Sequence, residues 1–85
     1  MLIILDSARK HGISDEVMVD IISDPYEAYR LRSEPLKILH IGFDSKARAI
    51  EVITDTGDNG DIFIIHADKL TKKNEKLLGR YKDGL

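Results

Sequence analysis

The chain has no cysteine, no repeat, no low-complexity tract and no linker, and its longest apolar run is residues 1–5. Without cysteine there is neither a disulfide staple nor a thiolate metal ligand. That is the ordinary condition of a reduced cytosolic protein, and a cytoplasmic location is expected. The apolar run stops at Asp6, well short of a signal peptide or a membrane span, so no membrane association is expected. Eighty-five residues are enough for a single domain spanning 1–85. A domain this small buries only roughly 60–65% of the surface its unfolded chain exposes, so its core is thin.

Net charge is small, at −2, but the charges are not evenly spread. Between Asp68 and Lys82 stand Lys69, Lys72, Lys73, Lys76, Arg80 and Lys82 against only Asp68 and Glu75, a net of +4, which leaves −6 on the remainder. Such segregation gives one end of the molecule an affinity for phosphate chains or acidic partners, while a solvated helix face is the plainer alternative.

Hydrophobic periodicity outlines the fold. Residues 1–5 read as a short strand, and residues 6–11 as a helical turn closed by Gly12. Ser14 is a good N-cap, Asp15 and Glu16 suit the helix dipole, and Val17, Met18, Ile21 and Ile22 recur at helical spacing. Asp24 precedes Pro25, which ends that helix. From Tyr26 the period changes to two, with strands expected over residues 26–32, 36–42, 48–54 and 61–67. The short connections between them specify antiparallel pairing. Leu70, Leu77, Leu78 and Tyr81 mark the buried face of a closing basic helix. The expectation is an α+β fold of order β-α-α-β-β-β-β-α, an antiparallel meander packed on one face by helices.

Several kinds of chemistry find no support. In an acidic loop beginning at Asp55, Gly60 takes the turn position of a calcium loop. However, Gly57 and His66 fall where ligands are needed, and a hairpin turn with positive φ at Asn59-Gly60 fits better. His11, His40 and His66 lack the spacing of a zinc motif, although a site assembled from them in space stays open. There is no Ser–His–Asp pattern and no phosphate-cradling glycine loop. No metal and no cofactor is expected.

Two local sequences carry more. One is Arg9-Lys10-His11-Gly12-Ile13, followed by the amphipathic helix and Asp24-Pro25. The other is Ile64-Ile65-His66-Ala67-Asp68-Lys69-Leu70-Thr71-Lys72-Lys73, a last strand running into a basic helix. With the meander between them, the chain resembles the BrnT-like branch of the RelE superfamily of bacterial toxins from about Ser7 to Leu78. Asp68 stands where that family usually has Arg, and Asn74 where it commonly has Glu.

The resemblance implies the toxin of a type II toxin–antitoxin module, a metal-independent endoribonuclease. Its partners would be a cognate antitoxin and RNA, with messenger RNA one candidate. Lys10 and His11 match the family's K-H-G turn, His66 and Ala67 its final-strand step, and Lys69, Lys72 and Lys73 its basic helix start. Metal-free RNA cleavage needs a base for the 2′-hydroxyl, an acid for the leaving 5′-oxygen and cations for the phosphorane, roles open to His and Lys. The expected catalytic set is His66, Glu51 and Lys73. The expected RNA-binding set is Lys10, His11, His40, Lys69, Lys72, Lys76 and Arg80. A non-catalytic RNA- or protein-binding module of the same fold is the alternative, favoured by the acidic Asp68.

Strand alternation assigns the faces. Leu39, Ile41, Ile50, Val52, Phe63 and Ile65 are expected to pack against the helix of Val17, Met18, Ile21 and Ile22. Ile38, His40, Glu51, Ile53, Ile64 and His66 are expected on the other face, where Glu51 could orient a histidine. The alternative is three solvent-facing residues too far apart to interact.

Overall fold

The computed structural model describes residues 1–83, with side chains as far as Leu78. The elements are β1 (Leu2–Ile4), α1 (Asp6–Arg9), α2 (Asp15–Ser23), β2 (Glu27–Ser33), β3 (Leu36–Phe43), β4 (Ala49–Thr56), β5 (Ile62–Lys69) and α3 (Lys72–Asp83). They form an α+β domain whose five strands lie in the order β1-β5-β4-β3-β2. Strands β2 to β5 are an antiparallel meander. The sheet as a whole is mixed rather than antiparallel, because β1 runs parallel to β5, with Leu2 opposite Ile62 and Ile4 opposite Ile64.

Local chemistry sets the joints. Ser14 caps α2, its hydroxyl oxygen accepting from the Val17 amide. In the β3–β4 turn the Asp44 carboxylate accepts from the Lys46 and Arg48 amides and from the Arg48 guanidinium, while Ala47 takes φ +61°. The β4–β5 turn closes through Gly57 N–H to Asp61 O, with Gly60 at φ +86°. That is the polar hairpin turn expected there, with the positive φ at Gly60 alone.

One face of the sheet packs against α1 and α2. Its core is Ala8, Met18, Ile21, Ile50, Val52, Ile64 and Ala67, with Ile4, Ile13, Val17 and Ile22 against its rim. Gly42 belongs to this face, since a Cβ there would sit 2.9 Å from Ile21 Cγ1. The cross-strand pairs Gly42–Ile50, His40–Val52 and Ile38–Thr54 therefore all point toward α2. The opposite face carries Leu39 opposite Ile53, Ile41 opposite Glu51, and Glu51 opposite Asp68.

Two of the face assignments are thus corrected. Leu39 and Ile41 lie away from α2, and Ile38 and His40 toward it. The register also shifts between Ile53 and Thr54, so that His66 faces with Ile53 while Ile64 faces with Thr54 on the helix side. Ile64, rather than Phe63 or Ile65, is the β5 residue in the helix-packed core.

Helices are not confined to one face either. The first turn of α3 lies on the side of Glu51, where Asn74 is 8% exposed and bonded to that carboxylate.

Candidate functional site: a buried carboxylate, two histidines and the start of a basic helix

β1 covers only the first half of β5, pairing with residues 62–64. Beyond it the chain turns into α1, which takes over the open edge: Leu5 N–H bonds to Ile64 O, and the Ser7 hydroxyl donates to Ile65 O at 2.7 Å. With Ala8 buried in the core, the turn after α1 is carried to the end of β5. Gly12, at φ +78°, redirects the chain into α2 and leaves His11 beside the last strand. Residues 9–13 and the end of β5 meet there. The His11 and His66 rings lie edge to face, 5.8 Å between centroids. His11 Nδ1 is 3.7 Å from an Asp68 carboxylate oxygen.

Glu51 sits on the central strand and is 1% exposed. Both of its oxygens are occupied. Oε2 lies 2.6 Å from His66 Nε2. Oε1 accepts from the Thr71 amide (2.7 Å), the Thr71 hydroxyl (2.9 Å) and the Asn74 amide group (3.1 Å). Burial alone raises the carboxyl's pKa and is the largest single influence. The hydrogen bonds from the Thr71 amide, His66, Asn74 and the Thr71 hydroxyl together outweigh it, and the net shift is downward. An ionised carboxylate only accepts, so His66 Nε2 carries a proton and donates, which leaves Nδ1 as the nitrogen able to take one up.

The expected site residues divide into three groups. Glu51, His66 and His11 come together, with Asp68 alongside, and Lys10 is exposed next to His11 in the chain. Lys72, Lys73 and Lys76 are exposed on the first turns of α3, immediately after Thr71. Among the described residues, no hydrogen bond or ion pair ties Lys73 to the Glu51–His66 pair.

His40 and Lys69 are elsewhere. His40 is buried on the α2 face, its Nδ1 3.1 Å from Val52 O, and desolvation lowers its pKa despite that bond. Lys69 pairs with Ile50, one residue out of phase with His66 and Asp68. The Arg80 side chain lies outside the described residues. A zinc site built from His11, His40 and His66 is ruled out by His40 facing away, and no cluster of three His, Cys, Asp or Glu side chains suited to a metal occurs among the described residues.

Comparison with protein-family models, with curated proteins and with solved structures finds no match.

Sequence alone assigns no site role to Thr71 or Asn74, although Asn74 stands out as a departure from the family pattern. A signal was present, since T-x-x-N just before a helical run resembles a capping box with Asn in place of the usual Glu or Gln. What no local pattern contains is that the missing carboxylate arrives from β4, twenty residues earlier. No described helix is long and apolar enough to cross a membrane.

Proposed function

We propose that the chain is a metal-independent endoribonuclease, the toxin of a BrnT-like, RelE-superfamily toxin–antitoxin module, held in check in the cytoplasm by a cognate antitoxin. The observation that carries this reading is the hydrogen bond from His66 to a buried, fully satisfied Glu51, with a second histidine 5.8 Å away. A carboxylate that fixes an imidazole's tautomer and stabilises its protonated form is the arrangement a general base requires.

In this mechanism His66 Nδ1 takes the proton of an RNA 2′-hydroxyl, and Glu51 holds the resulting imidazolium. The 2′-oxygen attacks phosphorus, the P–O5′ bond breaks, and His11 returns a proton to the departing 5′-oxygen. The products are a 2′,3′-cyclic phosphate and a 5′-hydroxyl. Lys10, Lys72 and Lys73 supply positive charge for the phosphorane, as cations must where no metal takes part.

A second reading has its own support. Asp68 adds a negative charge directly opposite Glu51, and the three hydrogen bonds that Glu51 takes from Thr71 and Asn74 also suffice as a purely structural tie between α3 and the sheet. On that reading the chain is a binding module that uses its basic helix to hold RNA or an acidic protein.

Induction in a bacterial host separates the two. The toxin reading expects strong induction to arrest growth, with His66→Ala relieving the arrest while the protein stays folded. Normal growth with abundant folded wild-type protein removes the toxin and leaves the binding module.

A further inference from the structure

The hydrogen bonds of Glu51 are unevenly shared. Among the described residues, Oε1 takes three donors, all from residues 71–74, while Oε2 takes only His66. Thr71 is also the residue on which α3 begins. Its carbonyl accepts from the Asn74 and Glu75 amides, and its hydroxyl oxygen is 3.4 Å from the Asn74 amide while its proton goes to Glu51.

In a capping box, the N-cap hydroxyl serves the N3 amide and an acidic N3 side chain reaches back to the N-cap amide. Here N3 is Asn74, which has no carboxylate to offer, and the Thr71 amide is taken by Glu51 from the neighbouring strand. The helix N-terminus favours negative charge at that point, so helix and carboxylate stabilise each other. With three donors fixed on Oε1, the carboxylate plane has no freedom to turn, and Oε2 faces His66.

We infer that Thr71 and Asn74 are positioning residues: by capping α3 on Glu51 they aim its second oxygen at His66 Nε2, so that the seating of the basic helix decides which nitrogen of His66 carries the proton. The same helix start thus presents Lys72 and Lys73 and sets up the base. The consequence for catalysis rests on the ribonuclease reading, but the positioning itself does not.

The charged and titratable groups around His66 are Glu51 from β4, His11 from the turn after α1, and Asp68 from the next position of β5 on the same face. Lys72, Lys73 and Glu75 are the charged residues at the start of α3, all exposed.

The test is long-range ¹H–¹⁵N NMR of the histidine side chains in the full chain at pH 7.5. The wild type is expected to show His66 as the Nε2–H tautomer. Asn74→Ala combined with Thr71→Val should move it to a mixture of the two tautomers, while Thr71→Ser, which keeps the hydroxyl, retains the wild-type pattern. If the double variant does not fold, Asn74→Ala alone decides by the same signal. An unchanged Nε2–H pattern in a folded variant overturns the inference.

RNA turnover gives the second readout. Asn74→Ala should lower kcat by up to about 10²-fold, on the order of what a misplaced catalytic group can cost, with KM unchanged. A change in KM alone would make Asn74 a binding residue and overturn its positioning role. A tautomer that responds in a chain that cuts no RNA would leave the positioning standing and remove the ribonuclease.

Discussion

Glu51 is the residue on which most depends. Glu51→Gln keeps the shape but offers one oxygen and one NH₂ group. The three donors around Oε1 require the oxygen there, which turns the NH₂ toward His66 Nε2. His66 must then accept at Nε2 and carry its proton on Nδ1, the reverse of the wild-type tautomer. The loss of charge-assisted bonds should cost about 1–3 kcal/mol in urea unfolding at pH 7.

The substitution should also flatten the acid limb of the stability curve. The Glu51 carboxyl titrates below its ordinary value of 4.5 in the folded chain, so the unfolded chain binds its proton first as pH falls. The stabilisation is complete above about 4.5 and is lost as pH drops through the lower folded value. Unfolding of wild type and variant at pH 7, 5 and 3 checks this. The gap between them should close toward pH 3, and a gap independent of pH would mean that Glu51 is not held as the carboxylate.

At the scale of elements, α2 packs directly on Gly42, where an added Cβ would meet Ile21 Cγ1 at 2.9 Å and Cγ2 at 3.1 Å. Gly42→Ala should therefore lift α2 from β3 and cost about 1–3 kcal/mol, measured by denaturant unfolding. In an Ile21→Ala background, which lacks both Cγ atoms that the new Cβ would meet, Gly42→Ala should cost less, recovering part of that loss. No recovery would place the strain in the backbone of β3.

The same two elements show what the sequence could convey. Element order and the extents of α2 and β2 to β5 follow from periodicity, caps and turn residues, each a local signal. The faces of β3 and β5 do not, because Ile38-Leu39-His40-Ile41 and Ile62-Phe63-Ile64-Ile65 are apolar, or nearly so, on both sides. Alternation is silent in such runs. Register then depends on the 44–48 turn, which pairs Leu39 with Ile53, and on the irregularity in β5 opposite Ile53 and Thr54. Alternation consequently puts His40 on the wrong side, whereas Glu51 and His66 do share a face because the shift in β5 lies before His66. The parallel seat of β1 depends on a contact sixty residues away, and no local pattern encodes it.

For the whole molecule, the issue is how an acidic chain would hold RNA. The basic residues are concentrated beyond Asp68, and the start of α3 brings Lys72 and Lys73 to the end of the sheet where His11 and His66 meet. Binding to single-stranded RNA should therefore be strongly salt-dependent, each phosphate contact contributing a slope of roughly 0.7. Replacing Lys72, Lys73 and Lys76 with Gln should flatten the slope by about 2 if all three contact phosphate. An unchanged slope would make α3 a merely solvated helix.

Ribonuclease function stands or falls with the chemistry of the Glu51–His66 pair. The most direct measurement incubates the purified chain with a labelled single-stranded RNA, and with DNA of the same sequence, at pH 7 in excess EDTA. Cleavage of the RNA alone is predicted, leaving cyclic phosphate ends, and slowed about 10²–10⁴-fold by His66→Ala. Intact RNA, cleavage that needs an added metal, or cleavage that His66→Ala leaves unchanged would contradict it.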